Sequence, residues 1–375
     1  MSVVHKSTWR PFALLAAVCA ASGTLWMVVA VVATAGTSAA QGVHHTAKKH
    51  NVRHYAKTTH HPRRAGRALN GHRIATSLPG HLTSGSYGNS AGTLGYQLYV
   101  PSTYRAGRAV PLVVGLHGCT QSANAFRRLS GFDALGESKH FIVLFPQQRS
   151  SRNFLTCWNW FVQADMQRGS GEPAIIAGMV HAVEKSYSVN THRVYVAGFS
   201  AGGAMANVMG ATYPDVFAAV GSGSGCEYNG LPCLGYKGPP PSQTGQEAYQ
   251  AMGRHARIMP AIVFQGDQDN IVAPANGAEI AQEWQVTDNY VDSRSANGPI
   301  PTYRTSQSFA STPRGVTYTV DRYGDGRGNA LIQYWSIHGM SHAWSGGNGS
   351  QQYADPAGPT ETNAMYAFFT AHPLP

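Results

Sequence analysis

Arg193-Val194-Tyr195-Val196-Ala197-Gly198-Phe199-Ser200-Ala201-Gly202-Gly203-Ala204-Met205-Ala206-Asn207 is the stretch that decides the fold. Its first five residues read as a buried strand and its last seven as a helix that opens on small side chains. Between them stands Gly-x-Ser-x-Gly, Gly198 to Gly202. A serine on so sharp a strand-to-helix turn is pushed above the sheet, and side chains two residues to either side would collide across the turn. The motif recurs at Gly88-Asn89-Ser90-Ala91-Gly92. There no strand is expected before it and no helix after it, so Ser90 reads as a loop serine and Ser200 as the nucleophile.

Outward from this turn, apolar runs alternate with helical patterns. Strands are expected over 93–100, 110–116, 141–145, 193–198, 217–220, 260–265, 316–322 and 331–337. Helices are expected over 122–139, 172–187, 201–213, 274–288 and 360–371. Several strands are continuous apolar runs, as when helices cover both faces of a sheet. The alternation predicts an α/β class with a mostly parallel, doubly wound sheet, helices on both faces, in one domain over 77–375. The Gly/Pro-rich segment 228–250 reads as a surface insertion.

A serine nucleophile needs a base, and the base an orienting acid. His342 follows the last expected strand across Gly339-Met340-Ser341 and is the expected base; His338, at the strand end, is expected to bond locally. Asp267 and Asp269 both follow the 260–265 strand at the edge where open α/β sheets build sites, and spacing does not separate them. The Ala201 amide and, after the strand ending Leu116-His117-Gly118, the Cys119 amide are the expected oxyanion donors. No metal or cofactor is expected. Cys19 lies in the leader, which leaves four cysteines with three pairings. Cys226 and Cys233 flank a short loop that a bridge could staple, in which case Cys119 would pair with Cys157; the sequence does not choose among the three pairings.

The net charge of +10 resembles a polyanion binder until it is mapped. Residues 1–73 carry ten Lys/Arg and no acid, together with eight of the 17 histidines. The remaining 18 Lys/Arg match 18 Asp/Glu, so the body is formally neutral and nucleic acid is not an expected partner. Lys6 and Arg10, the apolar run 11–35 and Ser38-Ala39-Ala40 read as a signal peptide or N-terminal anchor over 1–40. Residues 41–76 read as a basic, His-rich, disordered linker. The expected location is therefore extracellular, with membrane or cell-surface association through residues 1–73.

Together, Leu116-His117-Gly118-Cys119-Thr120-Gln121, Cys157-Trp158-Asn159-Trp160-Phe161, 167–173 (QRGSGEP), the Ser200 turn and His342-Ala343-Trp344-Ser345-Gly346-Gly347 resemble the extracellular polyhydroxybutyrate depolymerase family of esterases. The likeness covers nearly all of 90–370. It implies an α/β-hydrolase fold, a Ser200, Asp269 and His342 triad, and oxyanion donors at Cys119 and Ala201. The implied activity is hydrolysis of polyhydroxyalkanoate polymer or oligomers through an acyl-enzyme. The resemblance extends to feruloyl and acetylxylan esterases, and an inactive surface-binding protein on the same scaffold is the remaining alternative. Trp158, Trp160 and Trp344, with Phe161, are expected to line an apolar cleft. Asp267 is an acid where such enzymes often carry a small or neutral residue. No separate polymer-binding domain is expected.

Overall fold

The computed structural model describes residues 78–231, 233–234, 238–295, 304–324 and 330–375. The expected leader and linker, 1–40 and 41–76, and Cys19 with them, lie outside the described residues. Among these residues ten strands form one sheet in the order β1-β2-β4-β3-β5-β6-β7-β10-β9-β8. These are β1 His81–Asn89, β2 Gly92–Val100, β3 Val110–Leu116, β4 Ile142–Gln147, β5 Val189–Phe199, β6 Ala219–Gly223, β7 Ala261–Gly266, β8 Ser306–Ser311, β9 Thr317–Gly324 and β10 Ala330–Ile337. The six central strands, β4 to β10 in that order, are parallel; β1 and β2 at one edge, β9 and β8 at the other, run antiparallel.

The central strands are apolar on both faces because both are covered. Leu112, Val114, Val194 and Val196 pack under α3 (Gly171–Ser186), α4 (Ala201–Thr212), α5 (Pro241–Met252) and α6 (Ala275–Ser293), whose Ile175, Met205 and Trp284 join the same cluster. The alternate residues Val113, Tyr195, Ala197 and Phe264 face α1 (Ala123–Ser130), α2 (Phe132–Lys139) and α7 (Glu361–Ala371). There Tyr195 stacks on Phe369 with ring centroids 5.0 Å apart. Each such fully buried side chain contributes about 1.5–3 kcal/mol relative to exposure.

Four expectations change. The helix over 122–139 is two helices: Ser122 caps α1 through the Ala125 amide, and Gly131 at φ 68° ends it and starts α2. The supposed surface insertion contains α5, which starts on Pro241 and lies so close to α6 that a β-carbon on Gly245 would stand 2.7 Å from the Glu283 carbonyl oxygen. The strand expected over 217–220 sits later, at 219–223. Strand β1 does precede Ser90; its mostly polar residues pair with β2 through backbone bonds rather than an apolar face. Ser90 itself is exposed in the hairpin turn.

Candidate active site

Ser200 joins β5 to α4 at φ 56° and ψ −121°, a left-handed backbone that a non-glycine residue adopts only when its surroundings enforce it. Its N–H donates to the Gly223 carbonyl of β6 at 2.8 Å, and its carbonyl accepts the Ala204 amide at 3.0 Å. The flanking glycines are steric necessities. A β-carbon on Gly198 would stand 2.2 Å from the Gly202 carbonyl oxygen, and one on Gly202 would stand 2.1 Å from the Leu116 carbonyl oxygen.

Asp269 follows β7 and is buried. Its Oδ1 accepts the Ile271 and Val272 amides, both at 2.9 Å; its Oδ2 accepts from Gln265 Nε2 at 3.0 Å and pairs with His342 Nδ1 at 2.8 Å. Burial pushes the carboxyl upward, but the His342 bond and charge and the two amides outweigh it and hold the group below the usual range. A carboxylate on Nδ1 leaves the Nε2 edge of His342 for a reacting hydroxyl. The imidazole stands 4.8 Å from the ring of Phe199, the residue before Ser200, and Tyr353 meets it edge-on at 5.9 Å. Ser200, Asp269 and His342 thus come to the same carboxyl edge of the sheet, from β5, β7 and β10.

The two carboxylates that spacing left equivalent are distinct in the fold. Asp267 turns away to His338 Nδ1 at 3.1 Å, and His338 Nε2 contacts Thr319 Oγ1 at 3.0 Å. His338 is thereby held between the loop after β7 and strand β9.

The loop 117–121 lies against the Ser200 turn: a β-carbon on Gly118 would stand 3.3 Å from the Phe199 carbonyl oxygen. Ala201 is the first residue of α4, where no earlier helical carbonyl takes its amide. Thr120, at φ 60°, donates its amide to the Leu155 carbonyl at 2.6 Å, and Cys119 is bridged to Cys157. The second bridge joins Cys226 and Cys233, so the structure selects one of the three pairings the sequence left open.

His117 is fully buried in this loop. Its Nδ1 donates to the Gly118 carbonyl at 2.8 Å while Nε2 accepts the Gln148 amide at 3.1 Å, which fixes a neutral ring. Burial lowers its pKa from 6.5 to about 4. Between those values the unfolded chain binds the extra proton, so this stability is present at higher pH and is lost as pH falls toward 4. A shift of this size is worth about 3 kcal/mol at most. His117→Gln keeps one donor and one acceptor but cannot titrate. Its Tm is expected to fall less than that of the wild type between pH 7 and pH 4.5, and an equal fall in both proteins would remove His117 as the cause.

The tryptophans are corrected. Trp158, Trp160 and Trp344 are 0%, 3% and 0% exposed. Trp158 donates to the His117 carbonyl, while Trp344 donates to Thr362 Oγ1 and packs edge-on against Phe126 and Phe132. All three are core aromatics rather than a cleft wall: Trp158 and Trp344 pack beneath the His117 loop and Phe199, and Trp160 packs on the half-buried Phe161. The aromatic that faces solvent here is Phe154, 90% exposed, one residue before Leu155.

Of the buried carboxyls that the sequence does not single out, two brace the site. Glu172 Oε2 accepts the Asn159 amide at 2.8 Å, and its Oε1 accepts Asn159 Nδ2 at 2.6 Å and Gln148 Nε2. Burial, then the neighbouring Asp165 charge, raise its pKa to about 7. This clamp holds the segment carrying Cys157. Glu361 accepts the Ser345 amide at 3.0 Å and is raised well above the carboxylate range by burial; it fixes the chain just past His342. The QRGSGEP stretch contains Glu172, but nothing in its spacing reveals that Gln148 and Asn159 fold back onto it.

Residues 94–231 match the Esterase PHB depolymerase family. The chain is 36% identical over 266 residues to poly(3-hydroxyalkanoate) depolymerase C of Paucimonas lemoignei, spanning 68% of this chain but only 60% of that one. It is 31% identical over 308 residues to acetylxylan esterase A of Talaromyces purpureogenus, spanning 77% and 76% of the two chains. Among solved structures, an acetyl xylan esterase from Aspergillus awamori superposes with a TM-score of 0.59 at 24% identity, covering 70% of this chain and 94% of that one. That likeness establishes the fold, an α/β-hydrolase.

Proposed function

This chain belongs to the PHB depolymerase family of esterases, and from that premise we propose that it is an exported serine esterase. It cleaves ester bonds of hydroxyalkanoate polymer or oligomers through an acyl-enzyme. The observation that carries the reading is the buried Asp269–His342 pair, 2.8 Å apart, at the sheet edge where Ser200 occupies its strained turn. Ser200 Oγ attacks the ester carbonyl while His342 Nε2 takes its proton, and Asp269 holds the ring and offsets the imidazolium charge. The Cys119 and Ala201 amides receive the oxyanion. His342 then returns the proton to the leaving alcohol, and water attacks the acyl-Ser200 ester with the same base.

Residues 77–375 form the catalytic domain in this reading. Residues 1–40 direct export or anchor the chain, and the basic segment 41–76 is a solvated spacer between that leader and the catalytic domain. The two disulfides suit an oxidising location.

A second reading, a carbohydrate-side-chain esterase of the acetylxylan or feruloyl type, is favoured by the acetylxylan esterase relative, which aligns over more of both chains than the depolymerase does. Purified protein assayed in parallel on polyhydroxybutyrate film, soluble hydroxybutyrate oligomers, acetylxylan and feruloyl esters separates the two. Hydrolysis of film or oligomers without release from xylan supports the first reading, and the reverse pattern the second. Failure of a fluorophosphonate to label Ser200, with no ester cleaved, would sink both and leave a binding protein on a hydrolase scaffold. An exposed phenylalanine beside the oxyanion loop suits contact with a solid apolar surface. Phe154→Ser is accordingly expected to slow film erosion several-fold and leave turnover of a soluble short-chain ester unchanged; equal effects on both substrates would refute the surface role.

A further inference from the structure

We propose that Asp267 is a positioning residue for the catalytic base: its carboxylate holds the turn from which His342 projects. The proposal rests on the reading of Asp269 and His342 as acid and base. An exposed aspartate away from any special feature usually changes stability by no more than about 0.5 kcal/mol. Asp267, whose side chain is 36% exposed, is engaged differently. Oδ1 accepts the Gly339 amide at 2.7 Å and Oδ2 pairs with His338 Nδ1 at 3.1 Å, so both oxygens grip one turn.

The backbone reinforces the same junction. The Asp267 amide donates to the Ile337 carbonyl at 3.1 Å and the Gln268 amide to the Met340 carbonyl at 3.0 Å. Residues 267–268 are thereby sewn to 337–340, with Asp269 the next residue on one strand of the seam and His342 just past the other. The contact is close enough that a β-carbon on Gly266 would stand 2.1 Å from the Met340 carbonyl oxygen. His338 carries the restraint outward, through Thr319 Oγ1 on β9 and against the Phe309 ring of β8 at 6.0 Å. Burial disfavours the Asp267 charge, but the Gly339 amide and His338 outweigh it and hold the carboxyl below its usual range. Asp267 is thus a standing anion beside a turn whose amide needs an acceptor. A base displaced by about 1 Å from its working position can cost about 100-fold in rate.

The test compares Asp267→Ala, Asp267→Asn, His338→Ala and His342→Ala on a soluble short-chain nitrophenyl ester, with competent sites counted by fluorophosphonate titration. Asp267→Ala is expected to lower kcat per competent site about 10- to 100-fold with KM within about twofold. Asp267→Asn, which keeps an acceptor for Gly339, is expected to recover most of that loss, and His338→Ala to fall between the two. Wild-type kcat in Asp267→Ala, an equal loss in Asp267→Asn, or a loss confined to KM would overturn the proposal. A drop in Tm with unchanged kcat per site would mark a merely structural contact and overturn it equally. If Asp267→Ala does not fold, Asp267→Ser, whose shorter side chain cannot span both partners, takes its place under the same criteria. Turnover retained by His342→Ala would instead dismiss the triad reading; an inactive His342→Ala beside an unimpaired Asp267→Ala would dismiss the positioning role alone.

Discussion

Ser200→Ala is expected to lower kcat on a short-chain nitrophenyl ester by about 10⁴-fold or more, with little change in Tm. The substitution removes one oxygen from a side chain that makes no cap to its own helix. The strained turn is held by backbone, through the Gly223 carbonyl on one side and the Ala204 amide on the other, and alanine carries the same left-handed cost as serine. Fold and the proposed oxyanion amides should therefore survive while the proposed attacking group is lost, and a residual rate of about 10³–10⁴ over the uncatalysed one is expected from those amides and from binding. Steady-state kinetics and a thermal melt on the same preparation check both halves. Ester turnover near wild type would remove Ser200 as nucleophile.

Gly266→Ala is expected to be nearly as damaging for an unrelated reason. The added methyl would meet the Met340 carbonyl oxygen at 2.1 Å and the Ser341 carbonyl oxygen at 2.8 Å. Both obstacles are backbone, so no side-chain rotation relieves them; β7 and the 340–342 segment must separate. The separation opens the Asp269–His342 bond directly, so a kcat loss of about 100-fold or more accompanies a Tm lowered by several degrees. Gly107→Ala is the control, since that glycine has nothing within 4 Å of its missing β-carbon. It carries the strain of φ +83° but lies outside the site. Wild-type kcat in Gly266→Ala would mean that the junction tolerates displacement and that base placement is not set there.

The sequence made the centre of this molecule readable and its edges much less so. Strands β3, β5 and β7 announce themselves because both their faces are buried and their residues are apolar without interruption. Ser200 is legible because the steric demand of its turn falls on positions where only glycine fits. Asp269 is not separable from Asp267 by local pattern, since the difference lies in which imidazole each carboxylate meets, and those histidines are some 70 residues away along the chain. Strand β1 is polar and stabilised by backbone pairing, so it carries no apolar alternation to find. Helix α5 is masked by the prolines and glycines at its start. Trp158, Trp160 and Trp344 misled because an indole reads the same in the core as on the wall of a cleft. Glu172 and Glu361 were invisible because a buried carboxyl differs from an exposed one only in what folds over it.

The segment carrying His342 is fastened to a part of the chain made long before it. Thr362 Oγ1 donates to the Ser130 carbonyl at 2.6 Å across 232 residues, the Asn348 amide reaches the Leu129 carbonyl at 3.0 Å, and Trp344 lodges between Phe126 and Phe132. Contacts of such separation close late, because the intervening chain must first be ordered. On a growing polypeptide Ser200 emerges well over a hundred residues before His342, the base proposed for it, and the His342 segment is tied down only once α7 has followed. If Ser200 and His342 act together, activity requires this long-range tie as well as the Ser200 turn, and regain of ester turnover during refolding is expected to lag formation of that turn.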